Sequence, residues 1–408
     1  MKKLVYLILF IFILSLMQNI NIILADEINK VNESKSIAAM LERSYIITED
    51  GNLYGWGGRK ETPLGNGSTE LQSLPVKILS NVASISAGEF HTVAITSNNE
   101  LYSWGSNYFG ELGNGIQSND TTLEPILVQK DVIEASAGLY TTAIIKKDGS
   151  LYVWGKISLK KDGDEYVLTP QKVMDNVKDI NLANQSVFII KNDNSLWAFG
   201  GNEYGVLGDG TTEYRYEPRM IMKNVKSVDS NGFTTAIVKT DNSLWMWGVK
   251  NCEDTIYGSY ISGEELTYDL KPNKIMDGVK KISIGNIQMF FNNKESRSYV
   301  EYPVAIIKED NSLFIWGCTK SFGHVMDDVE EVDVGNLFML AKKLDNSIYT
   351  WGSNNYGQLG NGTFEDCSIP KKILIINSEE CEKIRTYLNE SDFYNKIIDA
   401  IRQLYLIF

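Results

Sequence analysis

Short apolar stretches of strand length, separated by polar turns, recur along this chain. Thr92-Val93-Ala94-Ile95-Thr96 is rich in β-branched residues, Ser97-Asn98-Asn99-Glu100 is turn material, and Leu101-Tyr102-Ser103-Trp104 returns. Such runs around an Asn, Asp or Gly turn predict a β-hairpin. In other copies the turn reads Asp148-Gly149, Asp193-Asn194, Asp241-Asn242, Asp310-Asn311 and Asp345-Asn346. These residue types tolerate the positive φ of tight hairpins, so the Asp residues there need no calcium to explain them.

The returning strand is the most regular element. A Leu-aromatic-x-Trp-Gly phrase or a close variant occurs seven times, with anchors at Trp56, Trp104, Trp154, Phe199, Trp247, Trp316 and Trp351. The steps between anchors are 48, 50, 45, 48, 69 and 35 residues, and the last two sum to 104, about two ordinary periods. No copy is therefore missing. A period near 50 residues built from strands predicts a propeller or a solenoid. Burying about 200 Å² of aromatic surface is worth roughly 5 kcal/mol as an upper bound, so the anchors should dominate packing between units.

Two further elements complete the unit. Val82 to Gly88 and its counterparts end in small residues, which suit an inner strand near a central axis. Pro-led strands precede them, starting at Pro75, Pro125, Pro170, Pro218 and Pro272. Four strands make one propeller blade. The first copy starts at an inner strand near Ile37, whereas the last supplies a Pro-led run over 370–376 with no inner strand after it. This frame predicts that the N- and C-terminal strands share one blade and close the ring, removing exposed edges. The expected fold is all-β, a seven-bladed β-propeller over residues 34–376.

The ends differ from the repeats. Met1-Lys2-Lys3, an apolar run from Leu4 to Leu14 and Ala25 before Asp26 have the layout of a secretory signal peptide over 1–25, cleaved after Ala25. Retention as an uncleaved anchor is the alternative, since Ile23 is a poor cleavage residue. A secreted or cell-surface location is expected. Over 378–408, acidic residues follow Ser378 and Ser391, and Ile384, Leu388, Ile397, Ile401, Leu404 and Tyr405 fall at helical spacing. Two short amphipathic helices are expected there, covering a face or flank of the ring or docking to a partner.

Charge and residue chemistry narrow the function. With 39 Lys+Arg against 52 Asp+Glu, the net charge is −13, which argues against nucleic-acid binding. Cys252, Cys318, Cys367 and Cys381 form no C-x-x-C pair, so no zinc site is expected. A Cys367–Cys381 disulfide and free thiols both remain open. There are only two histidines, His91 and His324, and no Gly-x-Ser-x-Gly elbow or phosphate loop. No catalysis, cofactor or metal is expected.

In three copies the Trp-Gly phrase runs into a Gly-rich loop: 106–115 ending Leu112-Gly113-Asn114-Gly115, 201–210 ending Leu207-Gly208-Asp209-Gly210, and 353–362 ending Leu359-Gly360-Asn361-Gly362. Together with Ala87-Gly88-Glu89-Phe90-His91-Thr92, these resemble the regulator-of-chromosome-condensation repeat family over about residues 34–376. The resemblance implies a seven-bladed propeller. The first copy keeps only Leu64-Gly65-Asn66-Gly67, and the loop is missing after Trp154, Trp247 and Trp316. The family's histidine survives only as His91; Arg43, Thr141, Ser186, Thr234 and Phe338 stand at the matching positions. His91 is accordingly read as structural. Family members include nuclear exchange factors for a small GTPase, proteins of ubiquitin or membrane traffic, and a secreted bacterial inhibitor of β-lactamases that binds through propeller loops. The export signal does not fit the nuclear role, so exchange activity is not carried over.

Binding residues are expected among loop aromatics, which are favoured in hot spots. Tyr108, Phe109, Tyr204 and Tyr356 hold like positions in three repeat loops and should share one face. Insertions over 249–270 and 286–303 add Tyr257, Tyr260, Phe290 and Phe291. The resulting expectation is an exported, monomeric, non-catalytic module that binds a protein partner through face loops. No membrane contact is expected beyond an uncleaved anchor. The alternatives are a secreted inhibitor or effector that occludes an enzyme active site or modulates a GTPase, and a carbohydrate- or cell-wall-binding protein.

Overall fold

The computed structural model describes residues 36–163, 166–249, 268–286, 288–292, 297–316 and 322–375. Among these, seven four-stranded antiparallel sheets form seven blades, and one extra two-stranded hairpin stands apart. The blades span 36–79, 82–130, 132–174, 177–222, 225–276, 279–326 and 329–373, numbered 1 to 7 below. The expected signal segment 1–25, the tail 378–408, Tyr257, Tyr260, Cys252, Cys318 and Cys381 lie outside the described residues. Cys367 is a buried free thiol that donates to the Ile369 carbonyl at 3.2 Å.

Each blade begins with a short inner strand, such as Val82–Ala87, and adds the predicted hairpin, such as His91–Thr96 with Glu100–Asn107. The outer strand comes last and holds a proline in every blade except blade 6, where Gly323–Met326 has none. An edge strand is where a residue without an N–H costs least, and proline there blocks pairing with foreign strands. Inner strands of neighbouring blades touch one another all the way round, including blade 7 against blade 1.

This corrects the predicted closure. The N- and C-terminal strands do not share a blade: Ser36–Met40 opens a complete blade 1, and Cys367–Ile373 completes blade 7. Two-residue links such as Ser80-Asn81, with Asn81 at φ 60°, read in sequence like a hairpin turn. In the molecule they carry the chain from one blade's outer edge to the next blade's inner strand.

Seven hydrophobic clusters fill the structure, one in each junction. The ring closes on the same terms, with Ala39, Ile46 and Trp56 of blade 1 packed on Phe338, Leu340 and Leu359 of blade 7. Trp56, Trp104, Trp154, Phe199 and Trp247 are buried, and Trp351 is 8% exposed. Trp316 is only partly buried and packs against the cluster between blades 5 and 6.

A polar ring reinforces the inner strands. The Ser86 hydroxyl accepts the Ala137 amide, Ser136 that of Leu182, and Ser283 that of Val334. Asp229 accepts the Ile284 amide, and Asp333 accepts Ala39 across the closing junction, both at 2.7 Å. A short acceptor, Ser or Asp, at this position of the inner strand pairs the next blade's free amide in blades 2, 3, 5, 6 and 7.

Candidate binding face

The antiparallel blade sorts its connections into two faces. Hairpin turns and inter-blade links lie at one end; the loops joining inner to second strand and third to outer strand lie at the other. The turn face is uniform and tied down. Ser97 N donates to Asn81 O at 2.8 Å, Val132 N to Asn99 O at 3.0 Å, and the pattern repeats around the ring. Asx turns lock the hairpins, as where Asp193 accepts the Ser195 amide at 2.9 Å. Hydrogen bonds from the serine two residues on hold Asp148, Asp193, Asp241 and Asp310 below the usual carboxylate range.

Among the described residues, the loop face carries the longer, irregular connections. The hairpin Gln288–Asn292 with Arg297–Glu301 rises there, pairing Phe290 with Tyr299 and Phe291 with Ser298 in backbone register. The side chains of Phe290 and Phe291 lie outside the described residues.

Three Gly-rich loops are built alike. Asn107, Asn202 and Asn354 accept the amides of Leu112, Leu207 and Leu359 at 2.9 to 3.1 Å. Each loop then presents one carbonyl to the next blade. Glu111 O accepts the Trp154 indole at 2.9 Å and the Thr142 hydroxyl at 2.7 Å. Val206 O accepts Trp247 and Thr235, and Gln358 O accepts Trp56 and Ser44. Glycine is required where the loop covers the indole: a Cβ at Gly208 would meet Trp247 at 2.7 Å. Blade 1 keeps Gly65 against Trp104, but Pro63 stands where Glu111 does, its carbonyl faces Tyr45, and the Trp104 indole nitrogen has no partner. Blades 3, 5 and 6 lack the loop sequence, and the anchors that follow them are Phe199, Trp316 and Trp351.

The repeat-loop aromatics Tyr108, Phe109, Tyr204 and Tyr356 lie in loops between third and outer strands, on this face. Tyr108 is 57% exposed, while Phe109, Tyr204 and Tyr356 are half-buried. Each inner ring contacts the next blade: Phe109 meets Tyr140 at 4.7 Å, Tyr204 meets Phe233 at 5.1 Å, and Tyr356 lies under Arg59 at 5.6 Å. Phe90 and Tyr140 stack at 5.1 Å, and Lys156 covers the Phe109 ring at 4.7 Å. Sequence reasoning missed Phe90, Tyr140 and Phe233 as members of the face. All three stand directly before a second strand, so their shared repeat position was the available signal.

Buried charge under the face is structural. Arg43 is fully buried and donates to Thr92 Oγ1 and to the Gly88 and Glu89 carbonyls at 2.5 to 2.9 Å. His91 is also fully buried, with Nε2 at 2.8 Å from Thr142 Oγ1. Burial, assisted by the Arg43 charge, pushes its pKa down to about 3. Near the axis, burial and then Asp179 push Glu134 up to about 7, and burial with Asp333 does the same for Asp229. Among the described residues, no three His, Cys, Asp or Glu side chains gather as a metal-binding group.

Family models for the regulator of chromosome condensation (RCC1) repeat match residues 50–95, 98–145 and 345–385, and a second such model matches 82–111 and 329–358. Similar solved structures include human WBSCR16, 16% identical with a TM-score of 0.66, covering 79% of this chain and 94% of that one. Yeast RCC1 (Prp20), crystallised with Kap60, is 17% identical with a TM-score of 0.65, over 86% and 93% of the two chains. Prp20p from Saccharomyces cerevisiae, solved together with a description of its binding properties to Gsp1p and histones, is 16% identical with a TM-score of 0.64, over 90% and 98%. The protein is a seven-bladed propeller that carries regulator of chromosome condensation repeats over residues 50–145 and 329–385.

Proposed function

We propose that this propeller is an exported, non-catalytic module that binds a protein partner through its loop face. The carrying observation is the asymmetry between faces. Among the described residues, one end is a uniform set of tight turns joined by repeated backbone bonds, whereas the other holds the longer loops and the aromatic clusters. Variation concentrated on one side of a rigid repeat scaffold is where such folds place recognition. The Asn-pinned loops hold Phe109, Tyr204 and Tyr356 in place before any partner arrives, which lowers the entropy cost of binding. Prp20, of the same fold, is named with the protein partners Kap60, Gsp1p and histones. A non-catalytic role is supported by the burial of His91, which leaves it no access to a substrate. The signal-like N-terminal segment supports export.

The test is affinity capture with the full chain on cell-envelope and extracellular extracts. One control bait carries Tyr257, Tyr260, Phe290 and Phe291 changed to Ala; a second carries changes only in exposed turn-face residues. A partner kept by the native and turn-face baits and lost by the loop-face bait supports the reading. A partner lost only with the turn-face changes refutes it.

A further inference from the structure

We propose that residues 376–408 of this chain dock on an exposed apolar patch shared by the outer strands of blades 7 and 1, and so latch the closing junction of the ring. Six of the seven junctions are crossed by the chain itself, through links of one or two residues from one blade's outer strand to the next blade's inner strand. Among the described residues, the junction between blades 7 and 1 has no such link. Its core is filled like the other six, but its rim differs from theirs.

The difference falls at one strand position. The residue before the outer-strand proline is Glu124, Thr169, Glu217 and Lys271 in blades 2 to 5. In blades 7 and 1 it is Ile369 and Leu74, 63% and 57% exposed. Leu71 and Phe364 are exposed as well and extend the apolar surface. Where Phe364 stands, the other three Gly-rich loops carry Thr69, Gln117 and Thr212. The two blades meet here along one backbone seam. The Gly362 amide donates to the Ser73 carbonyl at 2.8 Å. Ser73 and Phe364 both lie against Gly357, and Leu74 lies against Gly362. Apolar side chains therefore flank the seam from both blades.

The course of the chain selects the occupant. The blade 7 outer strand, Cys367–Ile373, runs from the loop face to the turn face, and Ile375 then packs against the cluster between blades 7 and 1. Another 33 residues follow. Returning along this seven-residue strand to the patch takes roughly 23 Å, and 33 residues reach about 50 Å even as helix. Ile384, Leu388, Ile397, Ile401 and Leu404 recur at helical spacing and supply an apolar stripe to lay on the patch. A segment tethered beside its site acts at an effective concentration on the order of millimolar, which an outside partner must outcompete.

The experiment places a photo-crosslinking benzoylphenylalanine at Leu74 of the full chain, and in a control at Met220 of blade 4, with peptide mass spectrometry to locate the products. Crosslinks from position 74 to residues 376–408 of the same chain are expected, and none to that segment from position 220. In parallel, trypsin cleavage after Lys396 and Arg402 is timed in the native chain and in a Leu74→Glu/Ile369→Thr variant, which carries the side chains that blades 2 and 3 hold at this position. Cleavage should be about tenfold faster in the variant and unchanged by Met220→Thr. Thermal melts establish that each ring is folded. Equal cleavage of the native chain and the patch variant, or no crosslink from position 74 to the segment, overturns the proposal. So do crosslinks that join two chains, which assign the patch to a second copy, and protection that appears only with added lipid vesicles, which assigns the segment to a membrane surface.

Discussion

His91 of blade 2 and Thr142 of blade 3 meet at 2.8 Å, and their proton order is fixed by a third group. Thr142 already donates its hydroxyl proton to the Glu111 carbonyl, so the His91 ring must donate from Nε2 and leave Nδ1 as a bare lone pair. Stability should therefore depend on pH through His91. Between its ordinary value near 6.5 and its folded value of about 3, the unfolded chain takes up a proton that the folded chain refuses, so this residue's contribution falls as pH drops. Asp229 has the opposite sign. Its folded pKa of about 7 lies above its ordinary value near 4, so the folded state binds the extra proton and gains stability as pH falls through that window. Melting of His91→Thr and Asp229→Ser against the native chain at pH 8, 6.5 and 5 checks both signs. The native advantage over the first should shrink with acid, and over the second should grow. Parallel curves would refute both assignments.

The carbonyl at Glu111 separates two otherwise equivalent anchors. Trp154→Phe should cost about 1–2 kcal/mol, because a buried indole hydrogen bond is lost along with some packing. Trp104→Phe should cost less, since that indole nitrogen has no partner to lose. Trp104→Ala should still cost about 3–5 kcal/mol through the cavity it leaves. Denaturant unfolding of the three variants ranks them, and an equal cost for the two Phe substitutions would remove the carbonyl's role.

Gly208 and Gly278 have nearly the same positive φ, 76° and 73°, yet different surroundings. A Cβ at Gly208 meets the Trp247 indole, whereas Gly278 has nothing within 4 Å. Gly278→Ala should cost about 1–2 kcal/mol for the left-handed backbone alone. Gly208→Ala adds overpacking of about 1–3 kcal/mol. Similar melting temperatures for the two would show that the loop does not clamp the indole.

Asp333 joins the last blade to the first through the Ala39 amide. Asp333→Ala should cost about 1–3 kcal/mol and speed hydrogen exchange at Ala39 specifically. Asp333→Ser should retain part of the protection, since serine does this work from Ser86, Ser136 and Ser283. Unaltered exchange at Ala39 in the Ala variant would exclude the bond as a closing element.

Repeat number and strand content were legible because the Trp-Gly phrase and its turns recur with their chemistry intact. The blade frame was not. A two-residue link with Asn81 at positive φ looks the same whether the chain doubles back or crosses to the next blade, and only the pairing of Lys77 with Tyr54 decides. That single ambiguity hid the closure and the identity of the loop face, since faces are assigned only once strand directions within a blade are known. The common side of Tyr108, Phe109, Tyr204 and Tyr356 was readable from like positions. Their contacts with Tyr140, Phe233 and Arg59 belong to neighbouring blades and have no local signal. The length of the outer strand Ser118–Lys130 was likewise hidden, since 13 residues of polar strand resemble a loop followed by a shorter strand.

Because every blade is one uninterrupted stretch of chain, the covalent cut in the ring falls at an ordinary junction. Joining the ends and opening the backbone at Ser80-Asn81 would produce a circular permutant with the same seven wedges in the same order. Duplication or loss of one 50-residue segment would likewise add or remove a finished wedge, without needing a terminal strand to find its distant mate. The arc each wedge subtends, set by the packed cluster at each junction, is then what fixes the ring at seven.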